Sequence, residues 1–103
     1  MLTDSSVVQQ DPHVITKIVE GTVYVLDSRT LTVHTLNSTA GFLWSECKEP
    51  KIIRDITSRL TEEFDVHSRR ARRDVSEFIS GYLKQKLLRL KKGGSVSSSS
   101  RKQ

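Results

Sequence analysis

One cysteine, Cys47, is all that the 103 residues offer for thiol chemistry. The chain can close no intramolecular disulfide and has no cysteine cluster for a metal. Apolar runs are short as well, and none approaches the roughly 20 residues of a membrane-spanning helix. Leu2 to Pro12 is polar and lacks the apolar stretch of a signal peptide. There is no glycine-rich phosphate loop, and His13, His34 and His67 fall on a strand start, a strand and a loop. With 35% apolar residues the chain can build one modest core. A domain of this size buries only about 60% of its unfolded surface, which leaves little room for an elaborate internal active site. The expectation is one soluble, cytoplasmic domain without a cofactor.

The net charge of +5 is unevenly placed. Residues 1–12 carry two acids and no base, whereas residues 91–103 carry Lys91, Lys92, Arg101 and Lys102. The stretch between them holds 13 bases and 10 acids, so much of the basic balance belongs to the tail. That weakens the case for nucleic acid.

What is present is a change of period. His13 to Val19 alternates as a strand does, Glu20-Gly21 supplies a tight turn, and Thr22 to Asp27 is a second β-rich run. Ser28-Arg29-Thr30 turns the chain into a third run, Leu31 to Leu36. The β-pattern stops there: Asn37 offers a helix N-cap, and Ala40, Leu43, Trp44 and Cys47 open an apolar helical face. A second helix is expected near Lys51 to Phe64, with Pro50 suited to its first turn and Ile52, Ile53, Ile56, Leu60 and Phe64 on one side. Ser68 is the expected cap of a third. Ala71, Val75, Phe78, Ile79, Tyr82, Leu83 and Leu90 would keep that helix amphipathic for more than five turns. The fold class is α+β, winged helix-turn-helix-like: a three-stranded antiparallel meander followed by three helices. Residues 1–12 read as a flexible N-terminal segment, 13–90 as the domain, and 91–103 as a disordered Ser/Lys-rich tail.

This order resembles the PqqD-like domains, or recognition elements of ribosomally made, modified peptides (RiPPs), from about His13 to Leu90. Gly21-Thr22-Val23-Tyr24-Val25-Leu26-Asp27 resembles their second strand. His34-Thr35-Leu36-Asn37 with Ala40 to Trp44 is similar to their sheet-to-helix junction. Phe64-Asp65-Val66, Arg70-Ala71 and Asp74-Val75 with Phe78-Ile79 resemble their entry into the third helix. Two connections differ. Lys48-Glu49-Pro50-Lys51 replaces a glycine-containing link, and Gln85-Lys86-Leu87-Leu88 replaces a small-residue break after the third helix. The resemblance implies a non-catalytic protein in RiPP biosynthesis that binds the leader of a precursor peptide. It would present that peptide to a modifying enzyme such as a radical enzyme, protease or cyclase. It also implies that the leader adds to the third strand and lies along the third helix. A monomer or weak dimer, with no membrane and no nucleic acid partner, is expected.

The residues so placed are Thr32, Val33, His34 and Thr35 on the strand, and Arg70, Asp74, Glu77, Phe78 and Gly81 on the helix. An edge strand exposes unpaired N–H and C=O groups, and this one has neither proline nor glycine to blunt it. Gly81 lowers the helix surface beside it. A plainer reading makes Arg70–Asp74 and Arg73–Glu77 exposed ion pairs worth about 0.2–0.5 kcal/mol each. Cys47 and Trp44 read as core. The rival function is a winged-helix DNA-binding regulator that uses Arg69, Arg70, Arg72 and Arg73 at a helix start. Against it, the hairpin from Lys17 to Asp27 has one base and two acids.

Overall fold

The computed structural model describes residues 2–91. In chain order they form β1 (Val7–Gln10), β2 (Val14–Val19), β3 (Thr22–Asp27), β4 (Thr32–Leu36), α1 (Ser38–Glu46), β5 (Lys51–Ile52), α2 (Ile53–Glu63), α3 (Ser68–Lys84) and β6 (Leu88–Lys91). The expected meander is present as an antiparallel sheet in the order β2-β3-β4. Its first turn has positive φ at both central residues, 50° at Glu20 and 84° at Gly21. These values mark a type I′ turn, whose twist suits a two-residue hairpin. Val19 therefore pairs with Thr22, Thr16 with Val25, and Val25 in turn with His34.

The three helices cover one face of this sheet. Val23, Val25 and Leu36 point into a core with Leu43, Trp44, Ile56, Leu60, Val75 and Ile79. Asn37 caps α1 as expected, its Oδ1 accepting the Ala40 N–H at 2.8 Å. A Cβ on Gly41 would stand 3.0 Å from Val23 Cγ2, so glycine is what lets α1 lie this close to β3. Trp44 is fully buried, and its Nε1–H donates to Thr16 Oγ1 at 2.9 Å, which satisfies the indole. Cys47 is buried too, and the loss of solvent pushes its thiol up to about 12.

Several boundaries differ from expectation. The supposedly flexible N-terminal stretch contains β1, which sits between β5 and β6 in a second antiparallel sheet. Val7 and Val8 are buried there, so the burial of two valines and pairing with distant strands order a segment with little local signal. Lys51–Ile52 joins β1 instead of opening α2, and Pro50 lies outside that helix. The cap of α3 is His67, whose Nδ1 accepts the Arg69 N–H at 3.1 Å, rather than Ser68. Most consequential is the end of α3. Lys86 takes φ of 63°, the Lys86 N–H donates to Leu83 O at 3.0 Å, and the Leu87 N–H donates to Tyr82 O at 2.9 Å. This is a Schellman cap with lysine in the position glycine usually fills. Leu87 and Leu88 then drop into the core, and Leu90 is left 47% exposed on β6. Lys91 closes β6, and the rest of the expected tail lies outside the described residues.

A single guanidinium ties the meander to α3. Arg29 Nε and Nη2 donate to the two carboxylate oxygens of Asp27 at 3.1 and 3.2 Å, and Nη2 also donates to Lys86 O at 2.6 Å. The Arg29 hydrogen bond holds the Asp27 carboxyl below its ordinary range.

Three outcomes follow from this packing. Ile56→Ala should cost about 2–5 kcal/mol, read as a lower urea midpoint at unchanged slope. Cys47 should resist a thiol reagent at mildly alkaline pH in the folded protein and react promptly in denaturant; prompt labelling of the native state would refute its burial. Because the folded-state pKa of Asp27 is depressed, its stabilisation is present above the unfolded value of about 3.9 and fades as pH falls through the lower folded value. The stability gap between the parent and Asp27→Asn should therefore be constant near neutrality and shrink below about pH 4. A gap unchanged into that acid range would assign the effect to something other than the carboxylate charge.

Candidate functional site

The hairpin turn decides which backbone groups are free. In a type I′ hairpin the residues flanking the turn exchange hydrogen bonds, so Val19 and Thr22 form a bonded pair. The Ser28 N–H, which donates to His13 O at 3.1 Å, keeps the same phase at the far end. Thr22, Tyr24 and Leu26 thus bond toward β2, and Val23, Val25 and Asp27 toward β4. Their partners Leu36, His34 and Thr32 spend their backbone groups on β3. The N–H and C=O groups of Val33 and Thr35 consequently point away from the sheet. Among the described residues no strand pairs with them.

Beside that edge runs α3. Arg29, just before β4, reaches Lys86 at the end of α3. At the other end of β4, Asn37, Thr39, Ala40 and Leu43 share a depression of about 330 Å³ with Asp74, Glu77 and Phe78. β4 therefore runs from a contact with the end of α3 to the start of α1, where the depression beside the middle of α3 lies. Phe78 stacks at 4.2 Å and 31° on Tyr82, which in turn lies 5.9 Å from buried Trp44. Burial holds the Tyr82 hydroxyl above the usual phenol range, so it stays protonated at neutral pH. A Cβ at Gly81 would meet nothing within 4 Å, so the space beside it is open.

The structure places the expected strand residues Thr32, Val33, His34 and Thr35 on the open edge strand, and it sets the helix residues Asp74, Glu77 and Phe78, with Gly81 one turn on, beside the start of α1. His34 alone of the four strand residues is half-buried, because its side chain faces the helices. Arg70 lies one turn farther out, bridged to Asp74 at 3.4 Å. The expected Arg73–Glu77 pair is not formed among the described residues. Sequence reasoning gave Asn37 only a capping role and Ala40 and Leu43 only core roles, and it gave Thr39 none. Their place directly after an edge strand was the available signal, since a helix starting there must wall the depression at that end. Tyr82 was likewise read only as part of an apolar stripe.

The outer face of the sheet adds an apolar row. Ile15 pairs with Leu26 and Leu26 with Val33, so the row ends at the free edge. Val33 is 58% exposed and Leu31, with φ of 59°, is 77% exposed. No group of three or more His, Cys, Asp or Glu suited to a metal occurs among the described residues. None of their helices is long and apolar enough to cross a membrane.

The chain's fold is similar to that of TbiB1 in complex with the TbiA(beta) leader peptide, with a TM-score of 0.73 at 22% identity over 78% of this chain and 93% of that one. It is also similar to a lasso peptide synthetase B1 complexed with the leader peptide, with a TM-score of 0.66 at 18% identity over 80% and 96%. No curated protein matches. The family model for coenzyme PQQ synthesis protein D (PqqD) matches residues 22–88, from the start of β3 to the start of β6. That span holds the edge strand, the α1 junction and all of α3, and the chain belongs to the PqqD family.

Proposed function

We propose that this chain is a stand-alone leader-peptide-binding protein of RiPP biosynthesis. It captures a precursor peptide as an added strand on β4 and presents it to a separate modifying enzyme. The observation that carries this reading is the free edge at Val33 and Thr35, with the depression beside α3 at the end of that strand. The complexes of the two similar structures with leader peptides support it.

Magnitudes say what each part must contribute. Val33 and Thr35 offer two donors and two acceptors, and a backbone hydrogen bond adds about 0.5–1.5 kcal/mol net. Fixing each residue of a free peptide costs about 1–2 kcal/mol, so backbone pairing sets the register but does not bind by itself. Side chains must make up the difference. A large apolar residue buried against Phe78 and Tyr82 beside Gly81 would add about 1.5–3 kcal/mol. The depression then selects the peptide, and the edge aligns it.

No catalytic role is assigned to the chain. Cys47 is sealed in the core as a thiol, and His13, His34 and His67 stand on separate elements. The DNA-binding alternative is weaker, because Arg72 borders a concavity with Asp4 and Arg54 rather than the one that Arg69, Arg70 and Arg73 line.

Proline scanning of β4 tests strand addition. Val33→Pro and Thr35→Pro each delete an outward donor and leave the β3–β4 ladder intact, so both should fold. Each should weaken precursor binding at least about tenfold, or 1.4 kcal/mol, by calorimetry. His34→Pro removes a ladder bond and should lower the melting temperature instead. If the two edge variants fold and bind like the parent, the peptide does not add to this strand.

A further inference from the structure

α3 opens on Ser68-Arg69-Arg70-Ala71-Arg72-Arg73, and its first turn holds no acid. With Arg72 on the flank of Asp4 and Arg54, the other three guanidiniums gather. Arg69, Arg70 and Arg73 join His67 around an open concavity of about 450 Å³ with no acidic residue in its wall. Among the described residues Arg69 and Arg73 make no ion pair, and Arg70 makes one, to Asp74. The arrangement does not help the isolated helix. Cations at its start oppose the macrodipole. Arg69–Arg73 and Arg70–Arg73 are also like charges at i,i+4 and i,i+3, which repel. A negative partner would relieve both.

Helical spacing sets the concavity on the same side of α3 as the depression at Asp74, Glu77 and Phe78. Residues 70, 74 and 77, and residues 69, 73 and 77, are two rows that converge on Glu77. Glu77 lines the depression at the Leu36 end of β4 with Asp74 and Phe78. A peptide leaving β4 at that end passes Asp74 and Glu77 first. Measured from Glu77, Arg73, Arg70 and Arg69 lie about 6, 10 and 12 Å farther along the helix, which is about two to four extended residues.

The geometry points to a second subsite, for an acidic stretch of the same peptide. The ligand carries two or more Asp or Glu residues set two to four positions outside its strand-forming segment. The positions between are not acidic, because they face Asp74 and Glu77. This inference rests on strand addition at β4. Arginine suits the task, since its planar fork holds a carboxylate through two parallel hydrogen bonds. A nucleic acid fits less well: a duplex needs phosphate contacts spread along its length, and the β2–β3 hairpin offers Lys17 against Glu20 and Asp27.

The test uses a random-peptide phage library as the probe, selected on the full chain. Enriched peptides should share an apolar strand-like segment with acids to one side. The double variant R69S/R73S should bind those peptides about five- to tenfold more weakly at low salt, and the loss should shrink at high salt. Peptides with the acids changed to Asn or Gln should lose the same factor and no longer distinguish parent from variant. The double variant should melt no lower than the parent, since it relieves like-charge repulsion. A melting temperature lowered by several degrees would make the arginines structural and overturn the subsite. So would enriched peptides with the strand segment but no acids, an outcome that leaves strand addition standing. Selected peptides with no strand segment, and indifferent to Thr35→Pro, would instead sink the underlying reading. Tight binding of random duplex DNA, lost in R69S/R73S, would turn this surface over to nucleic acid.

Discussion

A two-residue turn sets the phase of everything downstream. Glu20 and Gly21, both at positive φ, fix Val19 opposite Thr22. Strand side chains alternate with a period of two, so that one pairing also sends Val23 and Val25 into the core and leaves Tyr24 and Leu26 on the outer face. The same alternation spends the backbone of His34 on β3 and frees that of Val33 and Thr35. A slip of one residue would invert the core face and the bonding edge together. The stability of the sheet and the availability of its edge are therefore one constraint, and the type I′ turn enforces it.

The site needs a second constraint, because an edge strand and a helix must be held at a fixed separation. Close packing does this at one end, where Gly41 lets α1 approach Val23 and so brings its first turn up to Asp74, Glu77 and Phe78. Electrostatics does it at the other, where Arg29 joins the nearly buried Asp27 to the last carbonyl of the α3 cap. Lys86 adopts a conformation that suits glycine better, and the return is the turn that presents its carbonyl to Arg29.

Much of this could be read from the sequence, and the parts that could not share a physical cause. Strands β2 to β4, the Asn37 cap and the apolar faces of the three helices are local patterns, and the structure contains them except at helix ends, where Ile52 and Leu90 belong to strands. β1 and β6 are not local, since Val8 finds its partner in Leu90 at the other end of the domain. Two valines in a polar stretch say nothing until that partner exists. The end of α3 was hidden for a different reason: Lys86 carries no signature of a left-handed residue, and Leu90 happens to fall in helical phase. Within the site, residues 32–35 and the stripe from Arg70 to Gly81 follow from strand order and helical spacing. The division of four neighbouring arginines between two flanks depends on where Asp4 lies, which only the fold provides.

The second sheet has one more consequence, through its antiparallel pairing of Val7 with Lys91. Partners in such a ladder have Cα atoms only about 4.5–5.5 Å apart, so residues near the two ends of the described segment lie side by side. They belong to the β1–β6 sheet, whereas the open edge belongs to the other one. The pairing that joins the two ends of the described segment and the open edge of β4 are therefore separate, and a change at the β1–β6 ladder reaches that edge only through the core the two sheets share.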